Sequence, residues 1–186
     1  KILAGGTDLL VNMKKKLLAP EHLVSVDRIQ SLAQLDASNG TFRIGSCVKA
    51  AEIAESDATQ ADFPALHEGA SRLGSPLIRN LATVGGNLVT ARPAADFPPP
   101  LMAYGATLVL KSTQGERSVP LTEFIEGPGR TVLSPNEVLE AVLLERPLPH
   151  SGSAYIKLGV REALEISLVN VAALLTLNAS DGAITA

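Results

Sequence analysis

The sequence predicts a mixed α+β fold, and three observations carry that reading. The chain opens as strand, glycine turn and helix; its centre sets short helical segments around a long stretch rich in glycine and proline; its second half holds apolar runs separated by turn signals, as antiparallel strands require. Ile2-Leu3-Ala4 reads as a strand running into Gly5-Gly6. Thr7 or Asp8 stands where a side-chain cap belongs, ahead of a helix with Leu9, Leu10, Met13 and Leu17 on one face, and Lys14-Lys15-Lys16 falls near its C-terminal end, where cations suit the dipole. Leu23-Val24-Ser25-Val26 has too few polar positions for a half-exposed strand, so it reads as a buried strand returning beside the first. A β-α-β opening follows.

Thr41-Phe42-Arg43-Ile44-Gly45 reads as a strand after an Asn39-Gly40 turn, and short helices are expected over 49–55 and 64–73, with Asp62 a candidate cap for the second. Between 74 and 100 the periodic signals fade, and the stretch reads as a long loop of the kind that carries function. A short helix closes at 101–104, strands are expected over 107–110 and 138–144, and Pro147-Leu148-Pro149 reads as a linker. Strand-like runs at 154–158 and 168–177 suit the opening of a further domain. Both ends are abrupt, Lys1 entering a strand at once and Asp181-Gly182 turning into one, so the chain reads as a fragment of a longer protein.

With 186 residues, 46% of them hydrophobic, the chain can bury a sizeable core. Its net charge is −3 and its basic residues are scattered apart from Lys14-Lys15-Lys16, which excludes the basic stripe of a nucleic-acid binder. No apolar run is long enough to span a membrane and no leader pattern opens the sequence, so the cytoplasm is the expected location. One cysteine, Cys47, allows no internal disulfide, iron–sulfur cluster or zinc Cys₄ site on this chain, and it reads as a small buried apolar residue. His22, His67 and His150 have no ligand spacing. With 3% aromatic residues and no Trp, stacking against a planar ligand would fall to Phe42, Phe63, Phe97, Tyr104, Phe124 or Tyr155.

Two glycine pairs carry the functional signal: Ala4-Gly5-Gly6-Thr7-Asp8 and Ala82-Thr83-Val84-Gly85-Gly86-Asn87. Adjacent glycines free the backbone to reach φ > 0 and strip Cβ atoms from a surface, so a diphosphate could approach bare N–H groups. Either pair alone reads more readily as a structural turn, the two together make the stronger signal, and neither matches the Walker or the spaced Rossmann pattern. Asp96, ahead of a helix, is open to two readings, a cap or an acceptor for a ribose-like polyol; Lys157 reads as a solvated strand-face residue.

Taken together, Ile2 to Leu10, Ile78-Arg79-Asn80 with the second glycine pair, Pro93-Ala94-Ala95-Asp96, Ala154-Tyr155-Ile156-Lys157-Leu158 and Arg161-Glu162-Ala163 resemble the FAD-binding medium subunit of molybdenum hydroxylases, the group of carbon monoxide dehydrogenase and xanthine dehydrogenase. The resemblance implies a two-subdomain FAD-binding fold of the vanillyl-alcohol-oxidase (PCMH) type over 1–147, divided at about residue 40, and the truncated start of a C-terminal α+β domain over 148–186. It implies non-covalent FAD, because the histidine of covalently flavinylated relatives has no counterpart. Leu3, Ala4, Gly5, Gly6, Thr7, Asp8 and Leu9, with Ala82, Thr83, Gly85, Gly86 and Asn87, would surround the FAD pyrophosphate. Asp96 would contact the ribityl or ribose region, Lys157 would lie near the isoalloxazine, and Leu139 would pack by the cofactor.

The activity so implied is electron transfer within a hetero-oligomer. A large subunit would carry molybdopterin and a small one two [2Fe–2S] clusters; the flavin here would pass electrons to an acceptor such as NAD, oxygen or a quinone. The alternatives are a stand-alone flavoprotein reductase of the same fold and a non-catalytic nucleotide-binding assembly module.

Overall fold

The computed structural model describes residues 1–37, 40–161 and 165–185. The opening is the expected β-α-β unit: β1 (Ile2–Leu3) and β2 (Val24–Ser25) pair in parallel, and α1 (Leu9–Lys14) lies between them in sequence. It differs from expectation in burial. Val24 is 55% exposed, Leu10 is 48% exposed and no residue of α1 is buried, because two two-residue strands and one short helix are too small to cover each other. Asp8 is the N-cap residue but its side chain makes no capping bond, and Leu17 lies beyond the helix.

Next come a 3₁₀ turn (Gln30–Leu32), β3 (Leu35–Asp36) and β4 (Thr41–Gly45). The expected turn at Asn39-Gly40 falls partly outside the described residues, since Asn39 is not among them. Three helices follow: α2 (Ala50–Ala54), α3 (Asp57–Asp62) and α4 (Pro64–Ser71). The middle one was not expected, and Ser56 caps it by accepting from the Thr59 N–H at 3.2 Å. Asp62 ends α3 rather than capping α4, whose first turn is set by Pro64, and its carboxylate meets Arg146 at 3.1 Å.

The stretch read as a long loop is largely helical. It holds α5 (Pro76–Arg79), α6 (Val84–Thr90) and the start of α7 (Pro98–Ala103). Ser75 and Thr83 cap the first two through the N–H groups of Ile78 and Gly86. Then come β5 (Thr107–Ser112), β6 (Gly115–Pro120), α8 (Leu121–Phe124), a small ribbon of β7 (Ile125–Gly127) and β8 (Arg130–Thr131), and β9 (Val138–Glu145).

One antiparallel sheet in the order β3-β4-β9-β5-β6 organises this region, with β9 at its centre. Phe42, Ile44, Leu108, Leu110, Val142 and Leu144 point from it into the core, where α2, α4, α6, α7 and α8 supply Ile53, Leu66, Leu88, Leu101 and Phe124. Phe63 lies 4.9 Å from Phe42 and 5.1 Å from Tyr104, ring centre to ring centre, the latter edge-on. The last elements, β10 (Ser151–Leu158) and β11 (Val169–Thr176), form a hairpin in full antiparallel register. Its Tyr155 and Ala172 face the core and its Ile156, Leu158, Val169 and Val171 face outward. Among the described residues no helix is long and apolar enough to cross a membrane.

Phe63 is fully buried and joins two other rings, so Phe63→Ala should lower unfolding free energy by about 3–5 kcal/mol. Urea denaturation checks this, with an unchanged slope showing that the loss is in the folded core.

Candidate functional site

The two glycine pairs meet across a cavity of about 530 Å³. Ala4, Gly5, Gly6, Thr7, Asp8 and Leu9 line one side; Ala82, Thr83, Gly85, Gly86 and Asn87 line the other, with Leu139 in the wall between. The glycines are there for different physical reasons. A Cβ on Gly5 would stand 1.9 Å from the Leu81 carbonyl oxygen, and one on Gly85 would stand 2.6 Å from the Ser46 Cβ, so these two permit backbone packing. Gly6 sits at φ +72°, a conformation costly for other residues. Gly86 is helical, not left-handed, and a Cβ on it would meet only the Thr83 hydroxyl, at 2.9 Å. Its missing side chain opens the cavity.

The two segments also offer different polar groups. Among the described residues, the N–H groups of Gly5, Gly6, Thr7, Asp8 and Leu9 make no hydrogen bond. The second segment spends its amides internally: Val84 donates to Val48 O at 3.0 Å, Gly85 to Ser46 O at 2.9 Å, Gly86 to Thr83 Oγ1 at 3.1 Å and Asn87 to Thr83 O at 3.0 Å. The expectation that both loops present backbone donors therefore needs correction: the carbonyls after β4 and the Thr83 cap consume those from Val84 to Asn87, and among the described residues the Thr83 N–H alone from 83 to 87 makes no hydrogen bond. What the second segment presents is the Asn87 side chain, whose Oδ1 is buried without a hydrogen-bond partner. An unpaired polar atom at such a place costs about 1–3 kcal/mol unless a ligand answers it.

Further lining residues gave no signal in the sequence, because they come from distant segments. Ser46 and Cys47 follow β4, Leu73 and Gly74 follow α4, Leu133, Glu137 and Val138 precede or open β9, and Glu165 and Ile166 come from the return between β10 and β11. Cys47 is 4% exposed, as expected of a small apolar residue, and burial pushes its thiol pKa up. Every Phe and Tyr is buried and none lines the cavity, so the aromatic candidates for stacking are all committed to the core. Glu137 is held by Arg117 through paired bonds of 2.7 and 2.9 Å and accepts the Ser134 N–H at 2.9 Å, which fixes the approach to β9.

Leu3, Asp96 and Lys157 are not among the lining residues. Lys157 does not lie on a solvated face: its side chain is 4% exposed and its ammonium stands 2.9 Å from the Asp96 carboxylate. Asp96 does not cap α7, whose N-cap is Phe97, and it also accepts the Tyr155 hydroxyl at 2.7 Å. Arg161 is described but Glu162 and Ala163, which shared its motif, lie outside the described residues.

Residues 1–147 match the family model described as the FAD binding domain in molybdopterin dehydrogenase. The chain belongs to this family. It is 35% identical over 171 residues to the nicotinate dehydrogenase FAD-subunit of Eubacterium barkeri, covering 90% of this chain and 58% of that protein. It is 37% identical over 175 residues to the xanthine dehydrogenase FAD-binding subunit of Escherichia coli O157:H7, covering 93% of this chain and 60% of the relative. Among solved structures, a carbon monoxide dehydrogenase chain from Hydrogenophaga pseudoflava superposes with a TM-score of 0.92 at 31% identity, covering 100% of this chain and 64% of that one. The chain thus spans about three fifths of the length of these relatives. Relatives of this kind are FAD subunits of oxidoreductases, and this is the family's mixed helix-and-sheet fold.

Two outcomes test this geometry. Gly5→Ala should unseat the N-terminal unit, since Leu81 O belongs to a backbone that cannot rotate away; faster proteolysis within residues 1–37 would register it. Arg117 and the Ser134 N–H hold Glu137 down to about 2 from its ordinary 4.5. A depressed acid stabilises the fold fully above its unfolded value and loses that contribution as pH falls through the folded one. Glu137→Gln should therefore lower stability at pH 7 and flatten its fall between pH 4.5 and about 2, read by thermal melts across that range.

Proposed function

We propose that the cavity is the FAD site and that the full-length protein is the flavin-carrying electron-transfer subunit of a molybdenum hydroxylase-type dehydrogenase. The observation that carries this is the pairing, across one cavity, of the unbonded amides from Gly5 to Leu9 with the unpartnered Asn87 Oδ1 and the bare Gly86. These features fit a dinucleotide: consecutive amides suit the diphosphate oxygens, while Asn87 Oδ1 accepts from a hydroxyl or amide of the ligand. Thr7 and Thr83 have hydroxyls at the same rim, and Thr83 can still donate while accepting from Gly86. Leu139, Val138, Val26 and Leu32 offer an aliphatic wall to a planar ring.

When bound, FAD supplies a station that exchanges electrons singly or in pairs. The chain's own residues position that group and exclude water from it. No histidine lines the cavity, and Cys47 is buried with its thiol directed to Val26 O at 3.5 Å, so we assign non-covalent binding. In the same reading, residues 1–147 form the FAD-binding domain as two subdomains of the vanillyl-alcohol-oxidase type, meeting near residue 40, and 148–186 open the next domain. Partners would be a large molybdopterin subunit and a small iron–sulfur subunit, in a cytoplasmic hetero-oligomer with NAD, oxygen or a quinone as acceptor.

The test is direct. Full-length protein should carry one FAD, all of it released by acid precipitation. Gly86→Ala should weaken FAD binding about tenfold, about 1.4 kcal/mol, by filling the cavity. Its thermal stability should stay within about 1 kcal/mol of the parent, since the gain of roughly 1 kcal/mol from alanine in a helix is offset by pressure of the new Cβ on the capping Thr83 hydroxyl. Normal affinity in that variant would return the second glycine pair to a structural role.

A further inference from the structure

Glu165 and Ile166 line the cavity but belong to the hairpin return, so what seats the hairpin sets one wall of the site. Near the return the seat is polar, and most of it falls on residues 94–96, while farther along β10 the Ser153 hydroxyl bonds the Tyr104 hydroxyl and accepts the Ala65 N–H. Ser167 Oγ donates to Ala94 O at 3.3 Å and Asn170 Nδ2 donates to Ala95 O at 3.0 Å. Tyr155 and Lys157 both donate to the Asp96 carboxylate, and Lys157 adds a bond of 3.2 Å to Arg72 O, one residue before the cavity-lining Leu73 and Gly74. Helix α4 is cut to admit this cluster: a Cβ on Gly69 would stand 3.0 Å from Asp96 O and 3.9 Å from the Tyr155 ring. The Tyr155 side chain is 1% exposed, and burial together with the Asp96 carboxylate raises its hydroxyl pKa well above the ordinary value, so it remains a donor.

We propose that Tyr155 is a positioning residue: with Lys157 it holds the buried Asp96 carboxylate, seats the β10–β11 hairpin on residues 94–96, and so keeps Glu165 and Ile166 as a wall of the cofactor cavity. The proposal rests on the FAD reading of that cavity. On this view the Lys157 charge is answered by Asp96, and its work is mechanical. Removing one member of a buried pair strands the other charge, whereas neutralising both is often tolerated. That difference separates seating from a direct effect of the ammonium on the flavin.

The experiment uses the full-length chain with Tyr155→Phe, Lys157→Met and the double variant Asp96→Asn/Lys157→Met. FAD dissociation rate and iodide quenching of flavin fluorescence report the wall; hydrogen exchange over 169–176 in FAD-free protein reports the seat. Lys157→Met should raise dissociation about tenfold and Tyr155→Phe about threefold, each with greater iodide access and faster exchange in the hairpin. The double variant should return to within about twofold of the parent, since the residue at 96 still accepts from Tyr155. A double variant as defective as Lys157→Met would overturn the proposal, because the ammonium would then act on the cofactor by its own charge. Unchanged dissociation and exchange in Tyr155→Phe would also overturn it. Should the parent bind no FAD, the cavity reading fails, and hairpin exchange in the same variants still decides the seating. If Lys157→Met does not fold, the other two variants, which strand no charge, decide it.

Discussion

The approach of Gly5 to the Leu81 carbonyl is the constraint on which the site depends. Two backbones lie so close that no side chain larger than hydrogen fits between them, and this contact sets the first glycine segment opposite the second. The opening unit has little else to hold it: its strands are short, its helix buries nothing, and the Arg92–Asp8 pair, 3.6 Å apart, is half exposed and worth little. Just after it, backbone bonds tie the next segment to the end of β4, Gly45 N to Gln34 O and Cys47 N to Leu32 O, each 2.8 Å, and the Cys47 thiol donates to Val26 O at 3.5 Å. A cavity arises because the two segments touch at Gly5 and diverge beyond it.

The central sheet gives that contact a fixed base. Strand β4 pairs with β9, and the residues just after β4 bind the start of α6 through Ser46 O and Val48 O. The position of Gly85 is therefore referred to the sheet, and a Cβ there would strike Ser46. On the other side of β9, Arg117 of β6 grips Glu137 and so fixes the segment that brings Val138 and Leu139 into the wall. The core thus positions the site through backbone bonds on one side and a paired guanidinium on the other.

Much of this was legible in the sequence where local chemistry decides structure. The β-α-β opening and the strands at Thr41 and Val138 follow from apolar runs and turn residues, while the meeting of the glycine pairs is what the family resemblance implied. The helix at Val84 was hidden because two glycines in seven residues weigh against it, and contacts with Ser46 and Val48 outweigh that propensity. The hairpin inverted the usual rule. Its outward positions are Ile156, Leu158, Val169 and Val171, while Tyr155, Lys157 and Asn170 face in, so a reading that sends lysine to solvent had the alternation right and the face reversed. Asp96, which receives Tyr155 and Lys157, is 61 residues away from Lys157, and no local pattern joins them.

The sheet edges are unequally guarded. One side of the five-stranded sheet ends in β3, only two residues long, and the other in β6, which carries Glu116, Arg117 and a terminal Pro120. Short, charged and proline-bearing edges resist pairing with another chain. The hairpin carries no such guard: among the described residues its two eight-residue strands pair only with each other, beside an outward face of branched aliphatic residues. In the reading that 148–186 open a further domain, those edges and that face are where it would build, so a lysine placed on the outward face of β11 would disturb the longer protein while leaving the central sheet untouched.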